Sequence, residues 1–333
     1  MRVLRKPRVK SAFYEHGKPT IALAGGTGRR FKWLERGTWR EKHLPRVSIC
    51  IPAYKPDFFE FALKSAIAQS FDDTEIIVSD DCPTDAIEKI CQRYSGVVQY
   101  SRNPDPAEYK NVIRLAGLAS GEYIKYLFDD DVLNPFCIQY LLQALEATQN
   151  SGTKLAFSPR YFIDERNQVT NLGNGLMVEG TLKVIEGRDF IRITAVKHHN
   201  LLGEFSSVLM RTADCFDESG RFGLFKVVDG IISGPLDLSS WIGLSLRGAI
   251  VGHPMPLSYF RQHSNSQSNP AANRYFIYSI TYYEEVLDLA IEKGYLQPSD
   301  LPIAYRNLIN HYSYWRGLFP ELDERIARIS TRL

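Results

Sequence analysis

Three consecutive aspartates, Asp129 to Asp131, follow an apolar segment and are the strongest candidates for chemistry in this chain. Neighbouring carboxylates repel one another, and a carboxylate that is buried without a partner costs free energy. A divalent cation removes both problems. Carboxylate oxygens suit Mg²⁺ or Mn²⁺, which often bind one or two carboxylates together with substrate phosphates. The alternative interpretation is a solvated acidic turn before a helix that opens at Pro135.

A second acidic pair, Asp80 and Asp81, directly follows another predicted strand. Predicted strands alternate with predicted helices, which indicates a parallel sheet covered on both faces. The strands are predicted at residues 47–51, 75–79, 97–100 and 123–128. Ligands of such sheets bind beyond the carboxyl ends of the strands. We therefore expect both acidic segments to lie at one crevice.

Three segments, taken in order, resemble the nucleotide-binding half of the family 2 glycosyltransferases. They read VSICIPAY at 47–54, EIIVSDDCPTD at 75–85 and GEYIKYLFDDDVLNP at 121–135. Each segment is weak alone, but three in order with family-like spacing are specific. The resemblance implies an α/β fold of the GT-A type, a Rossmann-like mixed sheet flanked by helices. Looser similarity extends it to about residue 268 through 200–211, 237–241 and 259–263.

The resemblance also implies roles for individual residues. Counting back from Pro135, Asp130 matches the carboxylate that binds a metal ion, Mn²⁺ or Mg²⁺. Asp129 matches the carboxylate nearer the ribose, while Asp131 would reach the metal directly or through water, and His263 is a candidate further ligand. Asp81 would accept a hydrogen bond from the nucleotide base. The other residues implied beside the nucleotide sugar are Pro52, Ala53, Tyr54, Asn103 and Asn111.

A catalytic base is implied on the opposite side of the site. The family moves a sugar from a nucleoside diphosphate with inversion, and a carboxylate removes the proton of the attacking hydroxyl. Asp237 lies four residues before Trp241, as in the base-bearing helix of the family. Asp229 is the rival for this role, and a helix N-cap after Pro235 is the alternative role for Asp237.

The resemblance and the remaining pattern predict three parts of the chain. Residues 1–46 form a basic extension. Residues 47–268 form the GT-A domain, with a nucleotide-binding half at 47–150 and an acceptor half at 151–268. Residues 269–333 form a C-terminal helical subdomain, in which Tyr275, Tyr278 and Tyr282 share one helical face. That tyrosine stripe is expected to serve packing or the surface.

The basic extension carries thirteen Lys and Arg and three Glu, a net charge of +10 against +2 for the whole chain. It could lie peripherally on the inner face of a membrane or remain a solvated extension, and a nucleic-acid partner is not expected. Its segment LAGGTGRR, at 23–30, resembles the phosphate loop of sugar nucleotidyltransferases. Use of Gly25 to Arg30 in that chemistry is an alternative function.

Composition sets the broad class. The 333 residues, 44% of them hydrophobic, suit one large domain or two smaller ones, and exclude collagen-like and wholly disordered chains. The five cysteines are odd in number and form no C-x-x-C pair, which favours a reducing compartment. No transmembrane span or signal peptide is recognised, so a cytoplasmic protein is expected.

The sequence thus predicts an inverting glycosyltransferase. A nucleotide sugar, with UDP the expected nucleotide, would be the donor, and a glycan or lipid-linked hydroxyl the acceptor. A non-catalytic protein that binds nucleotide sugars or glycans remains the second alternative.

Overall fold

The computed structural model of the chain describes residues 11–15, 18–22, 30–33, 39–42, 44–173, 175–176, 180–225, 227–228, 231–232, 234–264, 270, 273 and 275–333. Among these, residues 47–333 contain one large mixed sheet covered by helices.

The large sheet has eight strands and runs through both predicted halves of the GT-A domain. In spatial order the strands are β13 (Lys183–Ile185), β17 (Ala249–Gly252), β10 (Thr153–Phe157), β14 (Val208–Arg211), β8 (Tyr123–Tyr126), β5 (Val47–Ala53), β6 (Thr74–Asp80) and β7 (Val98–Arg102). Strands β8, β5, β6 and β7 are parallel, whereas β14 is antiparallel to both of its neighbours. The expected mixed sheet is therefore present.

Strand β5 shows why this sheet is buried on both faces. Every one of its seven residues is buried. Val47, Ile49 and Ile51 pack into one apolar cluster, while Cys50 packs into the other. Side chains alternate between the two faces of a strand, so an almost uninterrupted apolar run requires cover on both sides.

Helices supply that cover. The helices are α1 (Pro56–Ile67), α2 (Ala86–Gln92), α3 (Glu108–Leu118), α4 (Cys137–Ala147), α5 (Gly187–Lys197), α6 (Leu236–Ser245), α7 (Phe276–Glu292), α8 (Asp300–Trp315) and α9 (Leu322–Ser330). Helices α1, α2 and α4 contribute to one apolar cluster, and α3 and α5 to α9 to the other. The C-terminal helices thus belong to the core of the domain.

A smaller sheet links the two halves of the domain. Its strands, in spatial order, are β12 (Val169–Leu172), β11 (Arg160–Ile163), β18 (Ser258–Arg261) and β9 (Val132–Leu133). Strand β18 pairs antiparallel with β9, with Tyr259 opposite Val132. Since β9 directly follows the three aspartates, this pairing brings residues 259–263 beside them.

Two further sheets are separate from these. In the basic extension, β1 (Ser11–Glu15), β2 (Lys18–Ala22), β3 (Arg30–Trp33) and β4 (Trp39–Lys42) pair in succession as antiparallel strands. Strands β15 (Val227–Val228) and β16 (Ile231–Ile232) pair antiparallel as a separate two-stranded sheet.

Two further expectations concern disulfide bonds and membrane-spanning helices. All five cysteines lie within the described residues, and each is a buried free thiol. None of the helices in the described ranges is both long and apolar enough to cross a bilayer.

Candidate active site

The strand ends of the large sheet open onto a cavity of about 1010 Å³. Pro52, Ala53 and Tyr54 line it where β5 ends, and Asp81 does so where β6 ends. The three aspartates after β8 line the same cavity, and so does Asp237. Carboxylates from both halves of the chain therefore face one space.

Asp129 connects the segment after β8 to the segment after β5. Its Oδ2 accepts hydrogen bonds from the backbone N–H groups of Tyr54, at 2.6 Å, and Lys55, at 2.7 Å. Burial of the carboxyl and the adjacent charge of Asp130 raise its pKa to about 7. Asp129 thus shapes the loop that carries Tyr54, whose side chain is 52% exposed at the cavity.

The neighbouring aspartates after β6 have different surroundings. Asp80 is fully buried, and its carboxylate accepts hydrogen bonds from Cys82 N, Tyr100 Oη and Arg102 Nη1 at 2.6–2.8 Å. It therefore fixes the strand end internally. Asp81 lines the cavity, and burial raises the pKa of its carboxyl above the usual value.

The two predicted asparagines differ in position. Asn103 donates a 2.7 Å hydrogen bond from Nδ2 to Asp81 Oδ1, but it is not among the described residues that line the cavity. Asn111, on α3, lines the cavity and donates from Nδ2 to the carbonyl of Ser79 at 2.9 Å. Its buried Oδ1 has no hydrogen-bond partner among the described residues. Asn103 therefore orients Asp81, whereas Asn111 itself reaches the cavity.

Strand β18 brings further groups to Asp130 and Asp131. His263 Nε2 lies 3.0 Å from Asp130 Oδ2, and the His263 side chain is only 3% exposed. Arg261 donates from its backbone N–H to Asp131 Oδ1 at 3.1 Å and from Nε to the Asp130 carbonyl at 2.8 Å. Its guanidinium also lies over the Phe58 ring, 4.4 Å from the centroid. Arg261 thus holds the acidic turn in place.

The two oxygens of Asp131 have different surroundings. Oδ2 is buried and has no hydrogen-bond partner within the described part of the chain. Burial and the charge of Asp130 raise the pKa of this carboxyl well above its usual value. A cation beside it would offset both effects, so the acidic turn fits a divalent ion chemically.

A preformed metal cage is not present in the described ranges, where no three His, Cys, Asp or Glu side chains converge to hold an ion. Mg²⁺ and Mn²⁺ do not need one, because they commonly bind through one or two carboxylates, waters and substrate phosphates. The donor set of Asp130, Asp131 and His263 is compatible with such a site.

Asp237 lies in the first turn of α6. Its Oδ1 accepts a hydrogen bond from Leu238 N at 2.7 Å, and its Oδ2 accepts one from Asn200 Nδ2 at 2.8 Å. Desolvation, followed by the charge of Glu204, raises the pKa of this carboxyl to about 7. The alternative N-cap role is wrong, because Pro235 occupies the cap position and Asp237 lies inside the helix.

Two residues near Asp237 were not predicted from the sequence. Asn200 holds the Asp237 carboxylate, and Glu204 lines the cavity in an ion pair with Arg160, with Nε and Oε2 2.5 Å apart. Gly203, between them, adopts φ +83°, and a Cβ there would lie 2.4 Å from the Arg160 guanidinium. The only sequence signal was that both residues fall in the 200–211 segment.

Two competing predictions fall outside the residues that the structure describes. Asp229, the rival base, is one of them. The other is the phosphate-loop alternative, because residues 23–29 of the Gly-rich segment are not described.

Known proteins resemble the chain over this region. Residues 48–202 match the family model described as glycosyl transferase family 2. The chain is 26% identical over 212 residues to uncharacterized protein y4gI of Sinorhizobium fredii, covering 61% of this chain and 21% of that protein. It is 33% identical over 106 residues to a GalNAc(5)-diNAcBac-PP-undecaprenol beta-1,3-glucosyltransferase of Campylobacter jejuni, covering 30% and 34%. The chain thus spans about a fifth to a third of these relatives.

Solved structures share the fold. S. aureus TarS 1–349 in complex with UDP-GlcNAc superimposes with a TM-score of 0.54 at 16% identity, covering 82% of this chain and 74% of that one. The same protein in complex with UDP gives a TM-score of 0.52 at 15% identity. The likeness confirms the predicted GT-A fold with its added C-terminal helices.

Proposed function

The chain carries a family 2 glycosyltransferase domain, and on that premise we propose that it transfers a sugar from a nucleoside diphosphate to an acceptor hydroxyl with inversion. One observation carries the proposal: Asp81 and Asp129 to Asp131 face the same cavity as Asp237, which comes from the other half of the chain. The cavity therefore has carboxylates both for the side of the leaving diphosphate and for the side of the attacking hydroxyl.

The donor would occupy the strand-end side of the cavity. Asp81, oriented by Asn103, would accept a hydrogen bond from the base, and Pro52 to Tyr54 would flank the base and ribose. Asn111 Oδ1 is a further acceptor at this side. UDP is the proposed nucleotide, in keeping with the UDP and UDP-GlcNAc complexes of S. aureus TarS.

The diphosphate would lie at the acidic turn. Asp130, Asp131 and His263 would hold a divalent cation there, Mn²⁺ or Mg²⁺, with the remaining ligands coming from the diphosphate and water. Bound in this position, the cation would stabilise the negative charge that departs with the nucleoside diphosphate. Arg261 would keep Asp130 and Asp131 in place through its backbone and guanidinium hydrogen bonds.

Asp237 would act as the general base. The acceptor oxygen forms a bond to the anomeric carbon while the bond from that carbon to the diphosphate oxygen breaks, and Asp237 takes the acceptor proton. A single displacement of this kind inverts the anomeric centre. A carboxyl pKa of about 7 suits a base that works near neutral pH.

The acceptor is proposed to be a glycan, including a lipid-linked one. The name of the Campylobacter jejuni relative includes an undecaprenol-linked glycan, which supports this class of acceptor. The +10 charge of residues 1–46 would favour peripheral contact with an anionic membrane face.

A panel of UDP- and GDP-sugars tests the function, with and without Mn²⁺. A donor at about a hundred times its dissociation constant should add about 2.7 kcal/mol of stability, visible as a raised melting temperature. Release of the nucleoside diphosphate upon addition of glycan acceptors would then separate a transferase from a protein that only binds nucleotide sugars. Failure of every nucleotide to stabilise the chain would exclude the proposal.

A further inference from the structure

Helix α7 provides a wall of the cavity that lies outside the family-matched region at 48–202. Tyr275, Phe276, Tyr278 and Ser279 line the cavity from the start of this helix. Both tyrosines remain open to solvent, with exposed fractions of 52% and 42%. An exposed aromatic pair inside a substrate cavity points to a ligand with an apolar face.

The two exposed tyrosines form one surface. Their ring centroids are 6.4 Å apart and their planes differ by only 15°. Each exposed ring offers an apolar π-face with a hydroxyl group at its edge. The C–H face of a pyranose ring is apolar while its hydroxyls are polar, so such a ring matches this surface in both respects.

The pair is rigidly attached to the segment that bears the proposed base. Tyr282, one helical turn beyond Tyr278, packs its ring against Gly234, where a Cβ would lie 2.3 Å from the ring. Gly234 adopts φ +84° and precedes Pro235, which opens the helix of Asp237. The tyrosine stripe, expected to serve packing or the surface, therefore contacts both the cavity and the segment that precedes Asp237.

Helix α7 is itself held firmly. Its Glu284 accepts hydrogen bonds from Tyr312 of α8, at 3.0 Å, and from Arg325 of α9, at 2.8 Å, and forms an ion pair with Arg328 of α9. Ligand-binding side chains on such a fixed element need little ordering when the ligand arrives.

The charges around Asp237, on the acceptor side of the cavity, discriminate between neutral and charged acceptor sugars. Asp237 and Glu204 line it, and the only Lys or Arg among the described lining residues is Lys55, which follows β5 on the donor side. Arg160, the partner of Glu204, is not among the described residues that line the cavity. Within that lining an anionic acceptor sugar would therefore meet carboxylates and no cation on this side, so a neutral sugar is favoured.

We propose that Tyr275 and Tyr278 form an acceptor subsite that stacks on a neutral pyranose ring of the glycan and directs its hydroxyl toward Asp237. This inference rests on the proposed function and specifies its acceptor class. The subsite would act on the affinity for the acceptor and leave the affinity for the donor unchanged.

Saturation-transfer NMR with methyl glycosides tests the subsite. The probes are methyl glycosides of glucose, galactose, mannose and N-acetylglucosamine, with methyl β-D-glucuronide as the anionic comparison. Mn²⁺ and UDP or GDP are present to fill the donor side. We expect ring C–H signals from at least one neutral glycoside, and weaker signals from the glucuronide.

The variants are Tyr275→Ala with Tyr278→Ala, the corresponding double Phe variant, and Tyr314→Ala as a matched control. Tyr314 is 78% exposed on α8 and does not belong to the described cavity lining. We expect about five-fold weaker glycoside binding in the double Ala variant, whereas the double Phe variant and the control keep it.

Two outcomes would overturn the subsite: equal signals in the double Ala variant, or no signal from any neutral glycoside on the wild-type chain. Stabilisation by UDP or GDP, measured on the same samples, separates this result from the proposed function. Absence of nucleotide binding by the wild-type chain would contradict the proposed transferase function. Nucleotide binding together with glycoside signals that do not depend on the two tyrosines would contradict the subsite alone.

Discussion

The Asn200 side-chain amide donates a 2.8 Å hydrogen bond to Asp237 Oδ2. Asn200 also donates to the Gly203 carbonyl, which in turn accepts the indole N–H of Trp241 at 2.9 Å. Because Trp241 belongs to the same helix as Asp237, these contacts fix the carboxylate relative to the helix that carries it. Asn200, a loop residue, thus orients the carboxylate of the proposed base through this hydrogen bond.

Replacing the proposed base should lower turnover strongly. Asp237→Asn should reduce transfer to a defined acceptor by about 10²–10⁴-fold, the usual contribution of general-base catalysis. The amide is nearly isosteric and keeps an oxygen for one of the two accepted hydrogen bonds, so the chain should remain folded, with a modestly lower melting temperature, and donor affinity should persist. Asp229→Asn is the comparison variant and should have a much smaller effect. If Asp229→Asn abolishes transfer while Asp237→Asn stays within a few-fold of wild type, the assignment is wrong.

The pH profile should report the ionisation of Asp237. Its carboxyl must be deprotonated to accept a proton, so kcat/KM should rise with pH through the pKa of about 7. Glu204→Gln removes a negative charge that raises this pKa and leaves Arg160, which lowers it. The acid limb should therefore move to lower pH.

Glu218→Gln, on the exposed surface, serves as the control for that profile. Burial, followed by the charge of Asp130, raises the pKa of the Asp129 carboxyl to about 7 as well. An acid limb that does not move in Glu204→Gln would therefore assign the ionisation to another group, such as Asp129.

Metal dependence should require the acidic turn. Asp130→Ala should abolish the Mn²⁺-dependent part of UDP binding while the chain remains folded, because it removes a proposed ligand and the partner of His263. His263→Ala should weaken that part less. Titration of UDP with and without Mn²⁺ gives the measurement, and Glu165→Gln is a nearby carboxylate control. Unchanged Mn²⁺-dependent affinity in Asp130→Ala would remove the metal assignment.

Gly234 should be sensitive to a methyl group for two reasons. Ala would be strained at φ +84°, and its Cβ would collide with the Tyr282 ring. Gly220 has a similar φ of +77° with open space around it, so Gly220→Ala tests strain alone. We expect about 1 kcal/mol of destabilisation in Gly220→Ala and about 2–4 kcal/mol in Gly234→Ala.

Chemical denaturation measures both variants. The double variant Gly234→Ala with Tyr282→Ala should lose less stability than the sum of the two single losses, because removing the ring removes the clash with the methyl group. Equal losses in Gly220→Ala and Gly234→Ala would mean that the contact between Gly234 and Tyr282 carries no energetic weight.

Removal of residues 1–46 should weaken binding to anionic vesicles. The segment has a net charge of +10, and such attraction is strongest at low salt, where screening is least. Co-sedimentation with vesicles containing phosphatidylglycerol, compared with neutral phosphatidylcholine vesicles, gives the measurement. Equal binding of the full and shortened chains to the anionic vesicles would show that the segment is not a membrane tether.

The sequence alone indicated the alternation of strands and helices between residues 47 and 147 and the acidic residues at the strand ends. Apolar runs such as 47–51 and 75–79 predict buried strands because their pattern is local, and the structure confirms both as β5 and β6. Carboxylates after a strand must lie at the edge where ligands bind, which is why the Asp129–Asp131 turn could be recognised without coordinates.

Only the tertiary structure decided which of these residues face the cavity and what accompanies them. Asp80 and Asp81 are neighbours in sequence. The Asp80 carboxylate accepts hydrogen bonds from Tyr100 and Arg102, whereas Asp81 lines the cavity. The approach of His263 to Asp130 depends on strand pairing across more than a hundred residues. Such partners are set by long-range packing, and no local pattern of residue types encodes them.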